Sequence, residues 1–368
     1  MNFLGDMGSQ PPLPEVQSQP NLGGPTGAAV SPQLRQPQLT FNIDLGQLFN
    51  ANKPAGSKSL IENLAKVRSG TVLSLVYVDF LPTNPMLAGD VIPQLESLLL
   101  EMGKVPKLDL FLRSTGGMAE IPWKIVSLLR PFCDDFEVVI PRNAMSGATH
   151  VAIGADEIVM SPLSFLGSVD PTRTHPLLPR DPQNASIPVS VQDLKHCLEF
   201  VKRNVPEGEK VGPILSQLFT QVSPLAIGSL EQAYELSRLI TRKVLSTRKK
   251  ALSRKVVNNI VDRLAGKYFS HGYFISRDEV ETDLRLPVTR MEPSDESFKA
   301  SEALNEYYKG VFEKEVPVPG APIPLMFRIT GFLETATSRR ALCQVIGQGP
   351  KGPNTNVVAG AWVSEPNV

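Results

Sequence analysis

IPRNAMSGATHVAIGADEIVMSPLSFLGSVDP, residues 140–171, is the stretch on which the fold is decided. It completes the apolar strand EVVIP (137–141), turns through RNAMSGA (142–148) and enters the short helix THVAIGA (149–155). It then returns as the strand EIVMS (157–161) before a second turn, SFLGSVDP (164–171). Upstream, the strand LDLFL (108–112) leads through the turn RSTGG (113–117) into the helix MAEIPWKIVSLLRPF (118–132). Further back, the strand TVLSLVYVDF (71–80) precedes the amphipathic helix VIPQLESLLLEMG (91–103). Short continuous apolar strands are those of a sheet buried on both faces, and their alternation with helices makes βα units. The expected fold is α/β around a mostly parallel sheet.

Composition divides the chain into three parts. Residues 1–57 are rich in Pro, Gln, Gly and Ser and are expected to be a disordered tail, because they cannot bury enough apolar surface to offset ordering entropy. Within the tail, LTFNIDLGQLF (39–49) is apolar enough for a short docking segment or a lead into the fold. Residues 58–292 are expected to form the α/β domain, and residues 293–368 a C-terminal helix with a small β-rich extension.

Charge and cysteine usage exclude several functions. The 37 basic residues balance 37 acidic ones, so no global field draws the chain to nucleic acid. The basic run from Arg238 to Lys255 reads as a solvated helix face. Cys133, Cys197 and Cys343 are odd in number and far apart, which suits neither a disulfide framework nor a zinc site and fits a reducing compartment. No metal or other cofactor is expected. The N-terminus lacks the basic and apolar regions of a signal peptide, and no apolar run is long enough to span a bilayer. A cytoplasmic location is the expectation.

Chemistry concentrates at two strand-to-helix turns, where ligands sit in parallel sheets. In RSTGG, Gly116 and Gly117 leave backbone N–H groups unshielded, suited either to a tight turn or to a developing oxyanion. In PRNAMSGAT, Ser146 stands among small residues, suited either to helix capping or to nucleophilic attack. One βα unit separates the two turns, and together they point to a site.

Four motifs in order, RSTGG, AMSGA, ADEIVM and LGSVDP, resemble the serine dehydrogenase proteinase family of Clp-type peptidases, relatives of signal peptide peptidase A. HGYFISRDEV (271–280) resembles the segment that closes that family's domain, and the resemblance covers roughly residues 70–290. It implies a Clp-protease/crotonase-like core in a homo-oligomer that cleaves a peptide or protein substrate. It also implies Ser146 as nucleophile, with Gly116, Gly117 and Gly147 at the oxyanion hole. Thr115, Ala148 and Ser168 depart from the family pattern of proline, glycine and proline.

The base is left open. The histidine of Clp peptidases falls at Val169, and the lysine of the signal-peptide-peptidase branch aligns with Arg238, which stays charged. Lys195, 49 residues after the serine in the helix VQDLKHCLEFVKR, is the first candidate, ahead of Lys202, Lys243, His150 and His175. A lysine serves only where burial lowers its pKa. His196 and His271 are read as structural, and Asp170 as a turn cap. The expected function is a serine peptidase working through an acyl-enzyme. The alternatives are a scaffold that kept the fold and lost the base, and an acyl-CoA enzyme on the crotonase core.

Overall fold

The computed structural model describes residues 43–79, 85–178, 180–182, 184, 187–204, 212–321, 323–348 and 355–366. At its centre lie parallel strands β1 (Thr71–Tyr77), β2 (Val105–Arg113), β3 (Cys133–Ile140), β4 (Glu157–Met160) and β5 (Val288–Arg290). Three antiparallel strands follow, β6 (Leu325–Glu334), β7 (Ser338–Gln348) and β8 (Thr355–Pro366). They hydrogen-bond in the order β5-β4-β3-β2-β1-β6-β7-β8, with Val316–Pro317 added beside β6. The expected neighbours β2, β3 and β4 are adjacent, in registers such as Leu110 opposite Val138 and Val138 opposite Ile158.

Burial explains why these segments are strands. All of β1 after Thr71 and all of β2 after Lys107 is buried. The helix Val91–Met102 turns Val91, Ile92, Leu95, Leu98 and Leu99 to the core, which is the helical spacing of one apolar face. Fully burying each such side chain stabilises by about 1.5–3 kcal/mol.

The extension expected at 293–368 does not stand apart. Strand β6 pairs antiparallel with β1, Ser74 opposite Glu334, so the sheet runs on across the expected boundary. A buried polar network locks the join. Glu334 and Arg339, both fully buried, pair at 2.7 Å. The Tyr308 hydroxyl donates to Glu334 at 2.6 Å, and the Ser57 hydroxyl donates to the same carboxylate at 2.8 Å.

The expected tail also ends earlier than residue 57. Up to Asn42 it lies outside the described residues, but Leu45–Ala51 is a helix whose N-cap Asp44 accepts from the Gln47 N–H at 2.9 Å. That helix buries Phe49 and packs against β7 and β8, so the apolar end of LTFNIDLGQLF leads into the fold. No helix among the described residues is long and apolar enough to cross a membrane.

Candidate active site

After β3 the chain crosses to a small sheet in which Asn143–Ala144 pairs with Phe165–Gly167, and that strand with Phe274–Ser276. This brings the HGYF segment, Ser146 and the turn before Asp170 into one neighbourhood. A capping box between Ser276 and Glu279 fixes the entry to the short helix Arg277–Thr282.

Ser146 occupies φ 50°, ψ −114°. The Ala148 N–H donates to the Met145 carbonyl at 2.9 Å, so residues 145–148 form a type II′ turn with serine at its first central position. That position favours glycine, and a side chain there is strained. The surroundings hold it in place. Thr149, fully buried, sets its hydroxyl 2.7 and 2.8 Å from the carbonyls of Ala144 and Gly167.

The glycine turn is stitched to the serine turn. The Met145 N–H donates to the Ser114 carbonyl at 2.9 Å, and the Gly116 N–H to the Ser114 hydroxyl at 3.0 Å. Gly116 has φ 104°, and a Cβ there would lie 2.8 Å from both the Ser146 Cβ and the Gly147 nitrogen. A Cβ on Gly117 would lie 2.1 Å from the Leu87 oxygen. A Cβ on Gly147 would lie 3.2 Å from the Gly117 nitrogen. Among the described residues, the N–H groups of Gly117 and Gly147 have no hydrogen-bond acceptor. A serine beside two unused N–H groups is a constellation that can attack a carbonyl and hold the resulting oxyanion.

A cleft of about 680 Å³ opens over this point. Its walls include Ser146, the glycines 116, 117 and 147, His150, His271, and the half-exposed Met86 and Met118. The volume falls within the usual range of ligand pockets.

The candidate bases are distributed differently from the sequence expectation. Lys195 is not in the cleft lining, and its ammonium rests 3.8 Å from the centre of the Tyr234 ring. Lys202 pairs with Glu199 on the surface, and Lys243 lies over Trp123. His175 accepts from the Leu177 N–H, away from the cleft lining. Arg238 is tied to Asp262 at 3.0 Å, and Val169 is buried in the core. His150 does line the cleft, buried, with Nε2 2.9 Å from the Thr241 hydroxyl and Nδ1 without a partner. Burial lowers its pKa to about 4, against the opposing pull of a hydrogen bond to the Ser237 backbone.

One group read as structural lines the cleft, and a second adjoins it. His271 lines the cleft, and its Nδ1 bonds the Asp170 carbonyl. Burial raises the Asp170 carboxyl to about 6, while Ser190 and the charges of His271 and Lys195 act to lower it. The HGYF resemblance marked this segment in the sequence, but only the small sheet shows that it closes the cleft.

Residues 90–180 match the family model of ClpP-like SDH-type serine proteinases. The matched segment contains the glycine turn, Ser146 and the SVDP turn, so a serine proteinase is the kind of protein it resembles. Among curated relatives, an uncharacterized protein of Methanocaldococcus jannaschii is 29% identical over 118 residues. That alignment covers 30% of this chain and 41% of the relative, so the matched stretch spans about two fifths of the relative's length. A mutant of the 1510-N membrane-bound stomatin-specific protease superposes with a TM-score of 0.32 at 12% identity, covering 69% of this chain and 91% of that one. A ClpP1 mutant from Listeria monocytogenes gives 0.33 at 10% identity, covering 66% and 98%.

Proposed function

We propose that this protein is a serine-type peptidase of the Clp and signal-peptide-peptidase class, cleaving peptide bonds through an acyl-enzyme on Ser146. The observation that carries this reading is the strained II′ turn that presses Ser146 against Gly116 and sets Gly147 beside the Gly117 nitrogen. A side chain is held at that position against its backbone preference, as at nucleophile turns where the hydroxyl must stand clear of the sheet. Ser146 attacks, and the N–H groups of Gly117 and Gly147 stabilise the oxyanion. The substrate is a peptide or protein, and the protein works as a homo-oligomer in the cytoplasm.

A second reading, a scaffold that kept the fold and lost catalysis, draws on Lys195 lying outside the cleft lining. A fluorophosphonate probe separates the two. A peptidase reacts with the probe, and Ser146→Ala abolishes the reaction; an unlabelled native protein supports the scaffold.

A further inference from the structure

His150 stands four residues after Ser146, on the helix Gly147–Ile153 that begins at the II′ turn. Ser146 is the non-helical cap of that helix, and the His150 N–H donates to its carbonyl at 3.3 Å, one turn on. Ser146 and His150 line the same cleft, and His150 is only 3% exposed.

The hydrogen bonds around the ring determine where its proton lies. The Thr241 hydroxyl donates to the Ser237 carbonyl at 2.9 Å. With its hydrogen directed there, the Thr241 oxygen offers His150 a lone pair, and the Ser237 backbone is a second hydrogen-bond partner of the imidazole. We assign the hydrogen to Nε2, the ring nitrogen 2.9 Å away, which leaves Nδ1 a bare lone pair. That lone pair is buried and has no partner. A buried acceptor without a donor is costly, and the residue that carries it lines the same cleft as Ser146, which calls for a function.

We propose that His150 is the general base of Ser146 and that Thr241 is the positioning residue that fixes its tautomer. The assignment rests on the reading of Ser146 as nucleophile. As Ser146 Oγ bonds to the substrate carbonyl carbon, its proton passes to His150 Nδ1. The carbonyl π pair moves onto oxygen, which the Gly117 and Gly147 N–H groups hold. When the carbon–nitrogen bond breaks, the leaving nitrogen takes the proton back from Nδ1. Water then repeats the sequence on the acyl-enzyme, releasing the acid and restoring the serine. Burial keeps the imidazole neutral at pH 7. The charged or titratable groups sharing the cleft wall are Glu120, Arg173 and His271, with Asp170 next to Val169. On the two helices packed against that of His150, Lys124, Arg238 and Lys243 are engaged with Glu96, Asp262 and the Trp123 ring.

The test measures the rate of fluorophosphonate labelling against pH in the full chain, with ¹⁵N-histidine spectra of the native protein. His150→Gln keeps a donor toward Thr241 but has no acceptor at Nδ1, and is expected to slow labelling about 100-fold or more. Thr241→Val is expected to slow it about 10-fold and move the acid limb of the profile, since the tautomer is no longer held; Thr241→Ser restores both. Lys195→Met labels at the native rate. The spectra are expected to show His150 protonated at Nε2 and bare at Nδ1. If Ser146 labels and His150→Gln labels equally fast, the base assignment falls and the nucleophile stands. If the native protein does not label, the reading of Ser146 falls and the base with it. Should His150→Gln fail to fold, the spectra decide alone: the opposite tautomer overturns the proposal.

Discussion

Replacing Ser146 by glycine is expected to stabilise the fold while removing its nucleophile. Serine at φ 50°, ψ −114° occupies the first central position of a II′ turn, where a side chain costs on the order of 1–3 kcal/mol. Glycine removes that strain but gives back about 0.5–1 kcal/mol through the greater freedom of the unfolded chain. The net expectation is a gain of about 0–2.5 kcal/mol, centred near 1. Alanine at the same position keeps the Cβ and therefore the strain, so Ser146→Ala is expected to stay within about 0.5 kcal/mol of native. Urea unfolding of the three proteins reads the difference as midpoint shifts at constant slope. If Ser146→Gly proves no more stable than Ser146→Ala, the turn is not strained. The argument that a side chain is held there for chemistry then fails.

Three further outcomes are expected. Gly117→Ala would set a Cβ 2.1 Å from the Leu87 backbone oxygen; the forced shift is expected to cost about 2 kcal/mol or more in urea unfolding and to abolish labelling of Ser146. Breaking the fully buried Arg339–Glu334 pair by Arg339→Met strands a carboxylate and is expected to cost about 3–5 kcal/mol; a double Arg339→Met, Glu334→Leu variant that recovers nothing would refute the pairing argument. Stability against pH has two opposed contributions. His150, lowered to about 4, makes the unfolded chain bind the extra proton, so stability falls as pH drops from 6.5 toward 4; Asp170, raised to about 6, makes the folded chain bind it, so stability falls as pH climbs from 4 to 6. Asp170→Asn is therefore expected to leave stability rising with pH from 4 to 6.5, and a flat curve in that variant would contradict the burial of His150.

The centre of the fold was legible because its information is local. Each of β1 to β4 is a short apolar run bounded by turn residues, and the helices between them carry one apolar face. The edges were not, because β6 earns its place only by pairing with β1 more than 200 residues away. Pro and Gly near 316–324 read as a break into an extension, yet a strand needs no local signal to join a sheet whose edge is open. Likewise, Phe49 looks like part of a polar tail until β7 and β8 supply the surface that buries it.

The site divides along the same line. The meeting of the Ser146 turn with the glycine pair was readable because each turn carries its own backbone requirement, and glycines 116 and 117 are fixed by contacts within the two turns and with Leu87. The proposed base was not readable, since its chemistry depends on where a proton sits. A fixed separation from the serine, the ground for choosing Lys195, presumes that the intervening loop follows one path. Residues 171–190 are proline-punctuated, and the helix after them sets the Lys195 ammonium on Tyr234. His150 stood behind Lys195 among the candidates because sequence shows neither Thr241, 91 residues away, nor the Ser237 carbonyl to which the threonine hydroxyl donates. Spacing finds groups that act by position, whereas a tautomer is set by donors and acceptors brought together only by folding.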